Sequence, residues 1–290
     1  ELSRRVLVAI VAAPVALGLI WLGGAPLAAL AASLSAIASW EFYRIARAAG
    51  HAPLVPLGVG IAAILPLVVH AVQLGLVQPG VAPIVLVPLV VMGATLWARG
   101  ADGRPLGAAS STVLGVLYTA APLSFAYALR YHRFAIGDMA GALMVIVPVV
   151  LTWASDTGAY FSGRLIGGRK LMPTVSPGKT VAGAIGAVVA TVLATWALTR
   201  GVLMPQAQLA FTPLGTLLFG VIVSVVAQIG DLVESLLKRE AGVKDSGTLF
   251  PGHGGVLDRL DSVFFVLPVA WVLYDLLLIP APSAFGGGAP

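Results

Sequence analysis

Nine apolar blocks, each near the roughly 20 residues that cross a bilayer as a helix, leave this 290-residue chain few ways to fold. They cover approximately residues 6–22, 25–40, 54–77, 81–98, 106–129, 138–163, 181–199, 213–238 and 262–280. A backbone in hydrocarbon must satisfy its own hydrogen bonds, and a helix does so within one segment. No soluble domain fits between the blocks. The expected fold is all-α, a polytopic integral membrane protein of about nine transmembrane helices.

Composition agrees. Hydrophobic residues make up 59% of the chain, and the mean hydropathy is +0.98. Charged residues are 10%, against roughly 25% in an average soluble protein. Cysteine is absent, which excludes disulfides, thiolate metal sites and cysteine nucleophiles. The first block begins almost at Glu1, behind Arg4 and Arg5, and is expected to be a first span or anchor rather than a cleaved leader.

A net charge of +5 raises the question of nucleic acid, but the positions of the charges answer it. With the N-terminus in the cytoplasm, fourteen of the 17 Lys and Arg residues fall in cytoplasmic segments. Only Arg130, Arg133 and Arg200 fall on the opposite side. Topology therefore explains the basicity through the positive-inside rule, and no nucleic acid is implied.

Residues 1–137 read as scaffold. Ala28, Ala31, Ala32 and Ser35 have the small-residue spacing that lets helices approach in lipid. The segment after the second block, EFYRIARAAGH, reads as an interfacial stretch with Arg44 and Arg47 at the headgroups. Residues 138–281 differ, because two loops, 164–180 and 239–261, gather most of their charge. Residues 282–290 form a Gly/Pro-rich tail expected to be disordered.

Acidic residues lie near the ends of the spans that flank these loops. Asp156 precedes the first loop; Asp231 and Glu234 precede the second. An ionisable residue at membrane depth costs at least ~2.5 kcal/mol on insertion scales and is a functional candidate by default. Helical spacing puts Asp231, Glu234, Ser235 and Lys238 on one face. That face suits either a metal carboxylate beside phosphate-seeking groups or a polar seam closed by a Glu234–Lys238 or Asp231–Lys238 pair. Asp258 and Asp261 sit three apart where the last helix should open, and Asp261 is the more cap-like of the two.

The loops add anion-binding elements. PGHGG at 251–255 places three glycines around His253, a setting in which backbone amides can face an anion. Phosphate bonding, proton transfer and simple loop fixation are all open roles for His253. SPGKT at 176–180 is no ATPase P-loop, since that motif requires glycine at the position held by Pro173. It is expected to form a Pro-Gly turn presenting Lys179 with the hydroxyls of Ser176 and Thr180. Arg164, Arg169 and Lys170 suit anionic headgroups.

The stretch from Ser235 to Asp261 resembles the signature of the phosphatidate cytidylyltransferases, the CDP-diacylglycerol synthases. Ser235, Lys238, Arg239, Lys244, Asp245, Gly247, His253, Gly254, Gly255, Asp258, Arg259 and Asp261 fill every fixed position of that pattern. SDTGAYFSGR from Ser155 and VSPGKT from Val175 are similar as well. One departure is Ala182, where the family usually carries a polar side chain.

The resemblance implies that 138–281 is a catalytic region with its active site at the cytoplasmic ends of the C-terminal helices, in a cytoplasmic (inner) membrane. The implied reaction joins CTP and phosphatidate into CDP-diacylglycerol and pyrophosphate with Mg²⁺, a second metal ion being compatible with the number of carboxylates. Asp231 and Asp258 become the expected metal ligands, with Asp245 and Asp261 as supporting or second-site carboxylates. Lys179, Lys238, Arg239, Lys244 and Arg259 are expected at the phosphates, and Asp156 is expected to orient one of these cations. A homodimer is a further implication. The rival readings are a CTP-dependent polyprenol- or phytol-type lipid kinase and, from another class, a lipid or ion transporter.

Overall fold

The computed structural model describes residues 2–78, 80–247 and 254–281, with side chains from Ala12 onward. His253 and the 282–290 tail lie outside these residues. Among the described residues, nine α-helices match the nine blocks one for one: α1 Leu2–Leu22, α2 Gly24–Ala48, α3 Val55–Gln73, α4 Ala82–Ala98, α5 Pro105–Arg130, α6 Gly137–Leu165, α7 Val181–Leu198, α8 Pro213–Glu240 and α9 Leu257–Leu277. Among the described residues, seven segments are long and apolar enough to cross a membrane; α4 and the described part of α1 are shorter. The protein is a polytopic helical membrane protein. Two short antiparallel pairs interrupt the helices, β1 Lys170–Met172 with β2 Ser176–Thr180 and β3 Leu209–Phe211 with β4 Leu278–Pro280.

The chain divides into two compact units, Glu1–Ala128 with Val233–Phe264, and Leu129–Leu232 with Phe265–Pro290. In the first, α2 packs on α1 and α3. Ala28, Ala31, Ala32 and Ser35 are buried, so the small-residue face of α2 is used inside the chain. Tyr43 fills the space left by Gly58 of α3 and Gly115 of α5, and its hydroxyl donates to the Thr112 carbonyl at 2.8 Å. These contacts correct one expectation. EFYRIARA is the last part of α2 rather than a separate piece after it, with Glu41, Phe42, Tyr43, Ile45 and Ala46 buried while Arg44 and Arg47 are exposed.

In the second unit, α6 and α7 make the closest helix pairing. Glycines permit it: a Cβ on Gly158 would strike Ala190 and the Gly186 carbonyl, and one on Gly186 would strike the Ser162 side chain. Two of the three cations on the expected far side are neutralised here. Arg130, 3% exposed, pairs with Asp138 at 2.8 Å, and Arg133 pairs with Asp275 at 2.7 Å. His132 lies 3.2 Å from the same Asp275 oxygen; burial holds its pKa below the usual imidazole value despite that carboxylate.

The SPGKT segment also departs from expectation. Its Pro177 and Gly178 lie within β2, and the hairpin turn is formed by 173–175. Proline is tolerated on a strand that has an edge without ladder bonds to make.

Because the α6–α7 contact leaves no room for a side chain at Gly186, Gly186→Val should lower the thermal unfolding midpoint of the purified protein by several degrees, the effect of an overpacking cost of about 1–3 kcal/mol. Gly93→Ala on α4, where a Cβ would meet nothing within 4 Å, should leave it unchanged. Size-exclusion after a temperature ramp measures both.

Candidate active site

The first cluster belongs wholly to the second unit. Thr180 ends β2 in an extended conformation and caps α7, its Oγ1 accepting from the Gly183 N–H at 3.0 Å. The cap fixes the path of the strand, and the strand carries Lys179 to α8. There its Nζ lies 2.6 Å from Asp231 Oδ2, with both side chains about one-third exposed or less. Around this pair opens a cavity of about 490 Å³ lined by Asp156, Tyr160, Arg164, Lys179, Thr180, Gln228 and Asp231 among others. Arg164 donates to the Tyr160 hydroxyl at 2.7 Å. Gln228 is steadied by the Ser224 hydroxyl at 3.2 Å, and Ser224 in turn meets Ser155 at 3.1 Å. Gly183 and Ala184, in the first turn of α7, also line the cavity, whereas Ala182 does not. A helix N-terminus, two cations and two carboxylates around one opening are suited to a phosphate-bearing ligand.

The second cluster belongs to the first unit. Lys238 Nζ lies 2.5 Å from Glu234 Oε2, one turn earlier on α8, and 2.7 Å from Asp258 Oδ1 at the start of α9. Asp258 Oδ2 accepts from the N–H of Ser246 at 2.9 Å, its hydroxyl at 2.8 Å and the Gly255 N–H at 2.7 Å. Glu234 is 1% exposed, Asp258 8% and Lys238 15%. Gly254 has φ +77, and a Cβ there would strike Asp258; glycine is needed for both reasons.

Several sequence expectations meet these facts. The Glu234–Lys238 pair anticipated as a polar seam is present. Asp258 ties the opening of α9 to the preceding chain through Gly255, and Asp261 Oδ1 accepts from the adjacent Ser262 N–H at 2.6 Å. Lys179, Thr180, Asp156, Arg164 and Asp231 come together at one cavity, while Ser176 is not among its lining residues. Arg239, Lys244, Asp245 and Arg259 are exposed. Among the described residues, no group of three His, Cys, Asp or Glu side chains is arranged to hold a metal ion. Sequence reasoning missed Gln228, Ser246 and Glu41. A buried acid in an apolar helix was the signal available for Glu41.

Fold and site define a helical membrane protein whose charge is concentrated in two ion-paired clusters. The chain matches the cytidylyltransferase family over residues 3–277 and belongs to that family. It is 47% identical over 140 residues to the phosphatidate cytidylyltransferase of Bacillus subtilis (strain 168), covering 48% of this chain and 50% of the relative. The enzyme of that name from Staphylococcus haemolyticus (strain JCSC1435) is 38% identical over 176 residues, 59% of each chain. That of Haemophilus influenzae is 38% identical over 153 residues, 52% of each. The chain thus spans about half the length of the curated relatives it matches, or somewhat more.

Lys238 is the one cation that the described structure gives to both Glu234 and Asp258. Lys238→Met should therefore destabilise the protein by roughly 3 kcal/mol or more, the cost of leaving buried carboxylates uncompensated. Lys244→Met, at an exposed position, should change stability by less than about 0.5 kcal/mol. Thermal unfolding in one detergent compares the two.

Proposed function

We propose that this protein transfers the cytidylyl group of CTP to phosphatidate, giving CDP-diacylglycerol and pyrophosphate, in a cytoplasmic membrane with its charged cavity open to the cytoplasm. The observation that carries the reading is the Lys179–Asp231 pair, 2.6 Å apart, beside Arg164 and the capped start of α7 in one cavity of about 490 Å³. Family membership and the names of the relatives support the substrate assignment.

In this reaction a phosphate oxygen of the lipid attacks the α-phosphorus of CTP. A new P–O bond joins the two phosphates, and the bond to the β-phosphate breaks to release pyrophosphate. The lipid phosphate is already an anionic nucleophile, so no side-chain nucleophile is required. The obstacle is repulsion between two polyanions, followed by charge building on the leaving group. Lys179 and Arg164 offset that charge in the cavity, and Asp231 fixes the Lys179 ammonium while leaving it further donors for phosphate. The exposed Arg239, Lys244 and Arg259 are assigned to substrate phosphates on the strength of the signature.

A divalent cation suits the donor set at the cavity. Mg²⁺ needs only one or two protein carboxylates when substrate phosphates and water complete its shell, and Asp231, with Asp156 beside it, supplies that chemistry. A bound Mg²⁺ would offset charge on the CTP phosphates. Asp258 is a poorer fit for an open metal site, because its two oxygens already accept from Lys238, Ser246 and Gly255. We assign it to holding Lys238. Asp245 and Asp261 remain the candidates for any second metal ion.

The test uses purified protein in mixed micelles with phosphatidate, Mg²⁺ and CTP labelled in the base. Base label should enter the lipid extract with release of one pyrophosphate per product. Transfer of γ-phosphate to lipid without cytidine would make the protein a kinase, and neither product would remove the enzyme reading. Asp231→Asn and Lys179→Met should each lower kcat/KM by roughly 100-fold or more, and the double variant should be far from additive because the two act as a pair. Chelation with EDTA should abolish turnover and added Mg²⁺ restore it.

A further inference from the structure

Glu41 is unexplained by the reaction just described. It lies in α2, far in sequence from both charged loops, and is 0% exposed among Ala38, Phe42, Tyr43 and Ile45. A carboxylate is costly to bury unless it is bonded. Its Oε2 accepts from the Leu257 N–H at 2.8 Å and the Ser246 hydroxyl at 3.2 Å. Among the described residues, Oε1 has no hydrogen-bond partner.

The two partners are telling. Ser246 precedes and Leu257 follows the middle of the signature segment, so one carboxylate ties both of its shoulders to α2. Ser246 is also the residue whose N–H and hydroxyl hold Asp258. Its hydroxyl has a single proton and faces two carboxylates, which links Glu41 through Asp258 to Lys238. Glycine stands on both shoulders where the carboxylate passes: a Cβ on Gly247 or on Gly255 would overlap it.

We propose that Glu41 is a positioning residue that anchors the signature segment, setting Ser246 and the first turn of α9 so that Asp258 and Lys238 keep their geometry. The inference rests on reading that segment as part of a cytidylyltransferase. Glu41 itself touches no substrate. What the anchor needs is an acceptor at the end of a side chain of this length, and not negative charge. Glutamine supplies that acceptor, and its amide nitrogen replaces an oxygen that accepts no bond among the described residues. Aspartate keeps the charge but falls short by one methylene.

The full-length variants Glu41→Gln, Glu41→Asp and Glu41→Ala separate these requirements by two readouts. The first is cytidylyl transfer per folded molecule. The second is hydrogen exchange in peptides that carry the Ser246 and Leu257 amides. Glu41→Gln should keep kcat within about threefold of wild type and keep the protection. Glu41→Asp and Glu41→Ala should lose roughly 10- to 100-fold in kcat, with little change in KM for CTP, and should exchange faster at Leu257.

A purely structural residue would reduce the yield of folded protein and leave kcat per folded molecule intact, and that result would overturn the proposal. Activity retained by Glu41→Asp and lost by Glu41→Gln would overturn it too, since charge would then be the requirement. Should Glu41→Ala fail to accumulate, the Gln and Asp variants still decide. If wild-type protein makes no CDP-lipid, the reaction assignment falls by itself. The anchor is then judged by exchange alone, supported by faster exchange in Glu41→Asp but not Glu41→Gln and overturned by unchanged protection.

Discussion

Every ionised group carried into a low-dielectric helix bundle has to find its opposite charge or its donors within the chain, and this requirement organises the molecule. Desolvating a single charge costs several kcal/mol, while a close partner returns most of it. The charges set among the helices follow that rule in named pairs: buried Arg130 with exposed Asp138, the partly exposed Lys179 with Asp231, and Lys238 with the buried Glu234 and Asp258. Asp275 takes Arg133, with His132 close by. Helix ends, tight glycine contacts and short hairpins are the means by which these partners are brought within 3 Å or so.

Pairing does not exhaust the chemistry of the cations. A lysine ammonium has three donors. Asp231 lies 2.6 Å from the Lys179 ammonium as an ion pair, and two carboxylates engage Lys238. The remaining donors are aimed by the ones already engaged, which is the preorganisation that phosphoryl chemistry rewards: the donor does not have to reorient as charge develops. The cost is some ground-state affinity for phosphate, because an anion already sits beside each cation. In the proposed reaction, a divalent ion arriving with the nucleotide would offset that cost at the Lys179–Asp231 cavity.

Hydropathy made the nine helices legible, since lipid leaves an apolar block of this length no other regular structure. Boundaries failed where polar residues diluted the pattern. The end of α2 is a case in point: Glu41, Arg44 and Arg47 lower the local hydropathy, yet Arg44 and Arg47 face outward while Glu41 faces the protein. The partners of Glu41 lie 205 and 216 residues away, so no local window could expose its role. In SPGKT, Pro-Gly suggested a turn by composition, and the pairing of Lys170 with Thr180 made it a strand. Of the site residues, Lys179, Asp156, Arg164 and Asp231 were legible one by one because charge is so scarce in this chain, and Thr180 through the SPGKT motif, but their meeting at one cavity was not. Gln228 and Ser246 were not, as uncharged polar residues carry no comparable signal.

The signature segment itself is better understood as a network than as a roster of groups facing substrate. Within it, Lys238 bonds Asp258, Asp258 bonds Gly255, and Ser246 bonds Asp258, all at 2.7–2.9 Å. Gly254 and Gly255 are fixed by the absence of space for a Cβ beside Asp258 and Glu41. Much of the spacing in the motif is therefore set by these internal bonds. Charge reversal or removal within such a network acts first on the neighbours. Loss of activity on mutating Asp258 would for that reason not identify it as a metal ligand. Asp231 lines an open cavity, so under the proposed reaction its variants bear more directly on phosphate or cation contact, once the effect on its partner Lys179 is separated by the double variant.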